Sequence, residues 1–493
     1  MVLGFCYDGR ILVPLEVFLN FNNIIESDNM GIYDMNNLNS KTSIGVSEAD
    51  YKNYFRGKKI TIIGLGLLGR GVNVAKFLAE LGADLTITDL KSAEVLAPSL
   101  KQLTRFKNIR YVLGKHELAD FKNCDMVIKS AGVPLDSPYI AEAKKNKIPV
   151  EMDASLFAKF TPATIVGVTG TRGKSTVTHL LEHILTRAYP RHVFVGGNVR
   201  GMATLPLLKK TKIGDIVILE LDSWQLQGFG DAKISPHVSV FTNFLNDHMN
   251  YYKGDMDKYF SDKANIFKYQ NEDEVLILGE QVSKEIKSRF KGKIKSGVLV
   301  AKKSIVPKAW KIKILGEHNR ANVAVAILVC QELDVPAKAI KDGVESFLGV
   351  PGRLELVRTI GGVKYYNDTT ATTPDGNKAA IEALGTKEKN IVLIAGGADK
   401  NLDYTEMARL LHKTVRGLVL IEGAATEKLL ANIPKKTSYP VHIVDTMKDA
   451  VLAAREYARR GDTILLSPGA ASFGVFKNEF DRGDQFVKLV NKL

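Results

Sequence analysis

Cysteine is scarce in this chain, and so are long apolar runs. Only three cysteines occur among the 493 residues, and Cys6, Cys124 and Cys330 form no closely spaced pair. This excludes a disulfide framework and a cysteine-based metal site, and it favours a reducing cytoplasm. No apolar run approaches the roughly 18 residues that a membrane span needs. Charged residues interrupt the N-terminus before any apolar core, so we expect no signal peptide.

The positive charge of the chain is not concentrated in any one segment. The formal net charge is +14, but Lys and Arg are spread along the chain with acids between them, and no aromatic-rich basic segment occurs. This distribution argues against a nucleic-acid-binding protein. Small anionic substrates and an ordinary basic surface are the two explanations for the charge. We expect small-molecule substrates, no nucleic acid, no membrane and a monomeric protein.

From residue 57 onward the sequence alternates between short apolar runs and helical stretches. That alternation is typical of parallel α/β architecture, which is the predicted fold class. The predicted strands are 60–63, 85–88, 126–129, 164–168, 216–219, 238–242, 275–278, 363–366, 391–395, 417–421 and 463–466.

Breaks that contain Gly and Pro, near residues 157–162 and 349–352, divide this pattern. The segment before residue 57 has no sustained period and is rich in Asn, Asp and Ser, so we expect it to be poorly ordered. The predicted units are an N-terminal extension at 1–56 and three domains at 57–158, 159–349 and 350–493.

Residues 169–176 read TGTRGKST and directly follow an apolar run. A strand that breaks into glycines and then opens a helix presents backbone N–H groups to a phosphate. Lys174 adds a cation, while Ser175 and Thr176 add hydroxyls of the kind that hold Mg²⁺. Val168 stands where the usual Walker pattern has its first glycine, which points away from ordinary P-loop kinases. The segment predicts nucleotide triphosphate chemistry in a central P-loop-type ATPase domain with a mostly parallel sheet.

A second glycine pattern, Gly64-x-Gly66-x-x-Gly69, follows the first predicted strand, and Asp89 lies 20 residues beyond its last glycine. Alone it matches a dinucleotide site whose acid binds a ribose hydroxyl. Another glycine turn, at Gly132, follows a neighbouring strand, and two such turns in one domain suit a diphosphate. Residues for hydride transfer are not evident, so an NAD-dependent oxidoreductase is the remote alternative. The prediction is a Rossmann-like first domain, and the alternation near the C-terminus predicts a Rossmann-like third domain.

Further polar residues stand at the ends of predicted strands or at the start of a helix. Glu220 ends an apolar strand at the edge where α/β proteins bind ligands, so it can reach a metal held by the loop. His248 follows another strand beside polar neighbours, which favours metal binding over a structural role. Asn319 and Asn322 suit recognition of a base edge or, equally, helix capping. Lys263 has no signal of its own beyond that of a surface lysine.

Taken together, these motifs resemble the Mur ligase family of cytoplasmic peptidoglycan synthesis, from about residue 57 to the end of the chain. The motifs in family order are TGTRGKST, Gly196-Gly-Asn198, Asn246-Asp-His248, Gly316-Glu-His-Asn319, Gly352-Arg353 and LSPGAASFGVFKN at 466–478. The resemblance implies an ATP-dependent ligase that forms an amide bond through an acyl phosphate. It implies UDP-N-acetylmuramoyl-L-alanine as the acceptor and D-glutamate as the added amino acid.

The resemblance also implies roles for individual residues. Catalysis would depend on Lys174, His248, Lys263 and Arg353. The implied ATP-binding residues are Gly170, Thr171, Arg172, Gly173, Lys174, Ser175, Thr176, Asn319, Asn322, Arg353 and Asp368. Two Mg²⁺ ions are implied, held by Ser175, Glu220, His248 and a carbamylated Lys263. The acceptor and the amino acid are implied to contact Gly66, Leu67, Leu68, Asp89, Gly132, Asn198, Thr372, Lys400, Ser472 and Phe473.

The identity of the amino acid leaves alternatives open. Thr370 stands where D-glutamate-adding members often have a lysine, and Gly352 stands where many members have a histidine. A sister ligase that adds L-alanine or a diamino acid is therefore the nearer alternative. A regulatory nucleotide-binding protein without catalysis is disfavoured by the combination of Lys174, Glu220, His248 and Arg353.

Overall fold

The computed structural model describes residues 48–493 except 68, 200 and 387. The described residues form three α/β units, each built around one sheet. Residues 1–47 of the predicted extension and the predicted substrate residue Leu68 lie outside the described residues. None of the helices in the described part combines the length and apolar character that crossing a membrane requires.

The first unit has a five-stranded, fully parallel sheet in the order β3-β2-β1-β4-β5. Its interior strands are almost continuously buried, as expected for a parallel sheet that is covered on both faces. The strands are β1 Lys59–Ile63, β2 Asp84–Asp89, β3 Ile109–Leu113, β4 Met126–Lys129 and β5 Val150–Glu151. The helices are α1 Glu48–Phe55, α2 Arg70–Glu80, α3 Ala93–Leu100, α4 Pro138–Lys145 and α5 Asp153–Phe160.

The second unit has a six-stranded parallel sheet in the order β11-β10-β9-β6-β8-β7. The strands are β6 Thr164–Thr169, β7 Val193–Gly197, β8 Ile216–Glu220, β9 Val238–Phe241, β10 Val275–Gly279 and β11 Gly297–Ala301. The helices are α6 Lys174–Ala188, α7 Ser223–Ala232, α8 Met249–Tyr252, α9 Met256–Ala264, α10 Glu280–Arg289, α11 Glu317–Glu332 and α12 Ala337–Ser346.

The third unit has a mixed six-stranded sheet in the order β12-β13-β17-β14-β15-β16, in which only β12 runs antiparallel to its neighbour. Gly361 and Gly362 join β12 to β13 with φ values of 56° and 82°, as a two-residue hairpin turn of this hand requires. The strands are β12 Glu355–Ile360, β13 Val363–Asn367, β14 Ile391–Gly396, β15 Val415–Ile421, β16 Val441–Val444 and β17 Thr463–Leu466. The helices are α13 Pro374–Leu384, α14 Thr405–Thr414, α15 Ala424–Ala431, α16 Met447–Tyr457 and α17 Glu479–Val490.

The first two units share one apolar core. A single cluster runs from Ile60 of β1 and Phe77 of α2 to Leu219 of β8 and Phe241 of β9. The two faces of the third sheet instead carry separate clusters made of residues from the third unit. Burial of apolar side chains therefore ties the first unit to the second, whereas polar contacts described below join the second unit to the third.

Helix α1 corrects the expected extent of the N-terminal extension. Tyr51 and Phe55 are at most 2% exposed, and the centres of their rings lie 5.9 and 6.3 Å from the centre of the Phe77 ring. Aromatic burial of this size holds the helix against the first unit. The predicted extension at 1–56 therefore reaches too far, because residues 48–55 belong to the packed chain. The domain boundaries at 158–159 and 349–350 fall between the sheets and stay predictions.

Candidate functional site

The loop at residues 169–176, called the second loop below, leaves the carboxyl end of β6 and leads into α6. Gly170 has a φ of 143°, and a Cβ added there would lie 1.9 Å from Oγ1 of Thr242. Thr242 and Asn243 follow β9. The Thr242 hydroxyl donates to the carbonyl of Arg172 (2.6 Å). The backbone N–H of Arg172 donates to Oδ1 of Asn243 (2.8 Å). The loop is thus shaped by glycine and held by side chains from the neighbouring strand end.

Gly173 brings α11 against the second loop. It has a φ of 83°, and an added Cβ would lie 2.4 Å from Oδ1 of Asn322. The Asn322 amide donates to Oδ1 of Asn319 (3.0 Å), and the Asn319 amide donates to the carbonyl of Leu315 (2.7 Å). The two predicted base-recognition residues therefore form a buried chain beside the loop.

Two ammonium groups converge on one carbonyl oxygen of the second loop. Nζ of Lys174 and Nζ of Lys263 lie 3.0 and 2.9 Å from the oxygen of Gly170. Lys263 is only 1% exposed, and burial, followed by the charge of Lys174, lowers its pKa well below the usual value. Burial also lowers the pKa of Lys174, against the opposing charge of Glu220. The charge of Lys174 therefore disfavours a second positive charge on Lys263 in this buried place.

Oxygen and nitrogen ligands of the kind predicted for metals surround this point. Glu220 ends β8 and is 4% exposed, and Ser175 opens α6, where its hydroxyl accepts from a guanidinium nitrogen of Arg353 (2.9 Å). His248 has a φ of 58°, and burial lowers its pKa although the Asp247 carboxylate opposes the shift. A neutral imidazole is the form that binds metals. The described residues contain no cluster of three or more His, Cys, Asp or Glu side chains that could hold a metal.

Three residues that sequence reasoning missed help to build the second loop and its surroundings. The Thr171 hydroxyl lies 3.3 Å from the hydroxyl of Tyr259, which comes from α9. Asn243 supports the loop as described above, and Thr373 contacts Arg172 from the third unit (2.6 Å). Asn243 could have been found because it is a polar residue directly after a strand. Thr373 could have been found because Thr followed by Pro is typical of the start of a helix. Tyr259 carried no such signal.

The Gly64–Gly69 turn, called the first loop below, is closed by a carboxylate of the protein itself. The backbone N–H groups of Leu65 and Gly66 donate to Oδ2 of Asp89 (2.9 and 3.0 Å), and the N–H of Lys91 donates to Oδ1 (2.9 Å). Asp89 is 5% exposed. Its oxygens therefore bind the protein backbone rather than standing free for a ribose, which weighs against the dinucleotide alternative.

The first loop lies beside the second unit. Arg70, which opens α2, donates to Oδ1 of Asn198 (3.3 Å) and to the carbonyl of Met202 (3.3 Å). The backbone N–H of Asn198 in turn donates to the carbonyl of Glu220 (2.6 Å). A short path of polar groups thus joins the first loop to the strand end that carries Glu220.

The remaining predicted substrate residues of the first unit and the third leave room for a ligand. Leu67 is 50% exposed and Phe473 is 67% exposed, although both side chains are apolar. A Cβ added at Gly132 would meet no atom within 4 Å. These positions are therefore accessible.

In the third unit, the side chain of Arg353 contacts the second unit, whereas that of Asp368 contacts its own unit. Arg353 reaches across to Ser175 of the second unit, and its contact with a nucleotide stays a prediction. Asp368 turns inward: it accepts from the Ser467 hydroxyl (2.8 Å) and from the N–H of Leu354 (3.1 Å). Burial raises the pKa of Asp368 to about 7. The structure does not bring its carboxylate to the second loop by a direct contact.

Lys400, Thr372 and Ser472 lie together at the carboxyl edge of the third sheet. Nζ of Lys400 donates to the Thr372 hydroxyl (3.0 Å). The backbones of Ala398 and Ala471 exchange two hydrogen bonds of 3.0 Å, which holds the segment before Lys400 against the segment that carries Ser472. That these three positions bind a substrate together stays a prediction.

Comparison with known proteins agrees with this architecture. Residues 58–151 match the "Mur ligase MurD-like, N-terminal domain", residues 168–330 the "Mur ligase middle domain", and residues 352–469 the "Mur ligase, glutamate ligase domain". The chain is 38% identical over 452 residues to the UDP-N-acetylmuramoylalanine–D-glutamate ligase of Borreliella afzelii (strain PKo), covering 88% of this chain and 97% of that protein. It is 36% identical to the ligase of the same name from Roseiflexus sp. (strain RS-1), covering 88% and 98%.

Solved structures share the fold at lower identity. The UDP-N-acetylmuramate-alanine ligase MurC of Thermotoga maritima superimposes with a TM-score of 0.57 at 19% identity, covering 88% of this chain and 99% of that chain. The MurF ligase of Thermotoga maritima in complex with ADP gives a TM-score of 0.57 at 16% identity, covering 92% and 99%. The matched family domains and the two relatives of 36–38% identity define an enzyme of the ligase class. The chain belongs to the Mur ligase family.

Proposed function

We propose that this protein joins D-glutamate to UDP-N-acetylmuramoyl-L-alanine at the expense of ATP. The observation that carries the proposal is the convergence of Lys174 and Lys263 on the carbonyl of Gly170, at a helix N-terminus. The loop amides at the start of α6 and the amino group of Lys174 suit the phosphates of ATP. The two relatives described above both bear the name of a D-glutamate ligase.

The nucleotide would bind along the second loop. Its phosphates would lie on the loop amides and Lys174, and its base would lie beside Asn319 and Asn322, which line the Gly173 side of the loop. The donor set fits Mg²⁺ at Ser175 and Glu220, because a hydroxyl and a carboxylate offer the oxygen ligands that this ion prefers. When bound, Mg²⁺ would offset charge on the transferring phosphoryl group.

A second Mg²⁺ would require a chemical change at Lys263. An ammonium group repels a cation, whereas a carbamate offers oxygens beside the neutral imidazole of His248. Burial lowers the pKa of Lys263, which favours the free amine. That amine attacks CO₂, a nitrogen–carbon bond forms, and the nitrogen loses a proton. We expect ¹³C-bicarbonate to give a carbamate resonance in the wild-type protein that is absent from Lys263→Arg. The same resonance in both proteins would contradict the modification at this residue.

The reaction would proceed by activation of the alanyl carboxylate, which is a poor acylating group. Lys174 and Arg353 would offset the charge that builds up as the phosphoryl group passes to that carboxylate and forms an acyl phosphate. The amine of the amino acid then attacks the acyl carbon, and phosphate leaves. Arg353 comes from the third unit, so its contact with Ser175 supports a closed arrangement that keeps water from the acyl phosphate.

The acceptor would span the first and second units. Its UDP part would bind near the first loop, where Gly66, Leu67 and Gly132 leave space, and Asn198 would lie on the path toward Glu220. Thr372, Lys400 and Ser472 would bind the amino acid at the edge of the third sheet. Each unit thus takes one substrate, and we propose that a monomer is sufficient for activity.

The test measures phosphate release from ATP by the purified protein with UDP-N-acetylmuramoyl-L-alanine and one amino acid at a time. We expect turnover with D-glutamate and little with L-glutamate, L-alanine or meso-diaminopimelate. A preference for L-alanine or the diamino acid would instead favour a sister ligase. The proposal would be overturned if no amino acid supported phosphate release and the protein bound NADH tightly.

A further inference from the structure

The guanidinium of Arg172 points away from the second loop toward the third unit. One terminal nitrogen lies 3.0 Å from Oδ2 of Asp247, and the other donates to the Thr373 hydroxyl at 2.6 Å. Thr373 caps α13 and directly follows Thr372, whose hydroxyl accepts from Lys400. Arg172 of the second unit and Lys400 of the third therefore contact two adjacent threonines.

The charges around this point are not balanced. The pKa of Lys400 is lowered mainly by burial. Two carboxylates, Asp247 and Glu479, oppose this shift, while two guanidinium groups, Arg172 and Arg482, reinforce it. Lys400 with the two arginines makes three cations against two carboxylates. Arg482 is fully buried and donates to backbone carbonyls, so Arg172 and Lys400 are the two of these three cations that remain for a ligand.

Position 370, on the same segment, supplies no cation. The hydroxyl and the backbone N–H of Thr370 both donate to the carbonyl of Gly352 (2.9 and 3.2 Å). The side chain is thus engaged within the third unit. A positive charge for an anionic group at this edge has to come from elsewhere, and Arg172 and Lys400 lie within reach.

We infer that Arg172 and Lys400 together bind the side-chain carboxylate of an acidic amino acid, which makes Arg172 a specificity-determining residue. The inference rests on the proposed function and deepens it, because it names the group that selects glutamate over neutral amino acids. A guanidinium fork is suited to a carboxylate, and the charge-assisted bond is lost with an uncharged analogue. The side chain of Arg172 is 34% exposed, so a ligand can reach it.

The experiment compares Arg172→Gln, Arg172→Lys and a matched control, Arg416→Gln. Arg416 forms an ion pair with Asp462 (2.8 Å) at the amino edge of the third sheet, away from the cleft. For each protein, KM is measured for D-glutamate and for ATP, and kcat/KM is measured for D-glutamate and for its neutral analogue D-glutamine. These readouts separate the binding of the amino acid from the binding of the nucleotide.

We expect Arg172→Gln to raise the KM for D-glutamate about tenfold or more, because a charge-assisted bond is lost. Its preference for D-glutamate over D-glutamine should fall by a similar factor, while its KM for ATP stays within about twofold of the wild-type value. Arg172→Lys should retain most of the preference, and Arg416→Gln should retain all of it. A rise in the KM for ATP alone, or a fall in kcat with the preference unchanged, would overturn the inference. A wild-type protein that does not use D-glutamate would instead contradict the proposed function.

Discussion

The two glycine-rich loops share a backbone design but differ in the charges beside it. Each follows a buried strand, turns at glycines with positive φ, and opens a helix. In the first loop, the N–H groups of Leu65 and Gly66 already donate to the Asp89 carboxylate. In the second loop, Lys174 and Lys263 share a single carbonyl oxygen. The first loop thus contains its own carboxylate, whereas the second loop has two amino groups beside it.

This difference teaches that the glycine pattern alone does not define the ligand. Glycines let the backbone approach a phosphate closely, but the neighbouring charges decide whether a phosphate is needed there. A ligand at the first loop has to bind beside amides that are already satisfied. A ligand at the second loop lies beside the amino groups of Lys174 and Lys263. The predictions below test this distinction, beginning with the largest effect.

The largest effect should come from Lys174→Ala at the second loop. We expect kcat/KM for ATP to fall about 10³-fold, because a cation that stabilises the transferring phosphoryl group is lost. The measurement is phosphate release under steady-state conditions. Lys76→Ala is the matched control, since Lys76 is a partly exposed lysine on the helix that follows the first loop, where its Nζ contacts Gln102 (3.1 Å). Equal losses in both variants would remove the distinction between the loops.

A smaller effect should come from Asp89→Asn at the first loop. The amide nitrogen of Asn cannot accept a hydrogen bond, so the variant loses part of the charge-assisted contacts that shape the turn. We expect the KM for the UDP-linked substrate to rise about tenfold, with an unchanged KM for ATP. Asp84→Asn, at the exposed opposite end of the same strand, serves as the control. A change in the KM for ATP instead would indicate that the first loop takes part in nucleotide binding.

Sequence patterns predicted the interior of each sheet better than its edges. Interior strands such as β6 and β14 are buried at every position and appear as apolar runs. The edge strands β11 and β16 are partly exposed, and neither was predicted. His442 interrupts β16, whereas β11 reads Gly-Val-Leu-Val-Ala and was missed although it is apolar. Strand β12 was also missed, because one of its faces lies toward solvent. Burial on both faces is what makes a parallel strand visible in a sequence.

The features of the candidate site also fall into two groups, those that sequence patterns predicted and those that they did not. The second loop, Glu220 and the neighbourhood of Lys400 follow from strand ends, because parallel strands bring their carboxyl ends to one edge. The burial of Lys263 and the contact of Arg172 with Thr373 depend on how separate elements and units pack. The inward turn of Asp368 depends on a hydroxyl and an N–H that lie far apart from each other in the sequence. No local pattern encodes such packing.

Asp368, like Asp89, is a carboxylate at the end of a strand. Its substitution should have the smallest effect on catalysis, and we expect its effect to be visible in the stability of the fold. Burial raises its pKa from 3.8 to about 7 in the folded protein. Between those values the unfolded chain releases the proton and the folded chain keeps it, so stability falls as pH rises. The slope is about 1.4 kcal/mol per pH unit for a single group. Above about pH 7 the loss is complete and stays constant.

Asp368→Asn removes this titration and can keep both contacts, because its carbonyl accepts from the Leu354 N–H and its amide donates to the Ser467 hydroxyl. We therefore expect the stability of the variant relative to wild type to increase from pH 4 to pH 7 and then level off. The measurement is the urea midpoint of each protein across that range. A constant difference between the two midpoints would mean that the carboxylate is ionised throughout. Asp368 would then resemble Asp89, as an anion held by its donors, and not a carboxyl group kept neutral by burial.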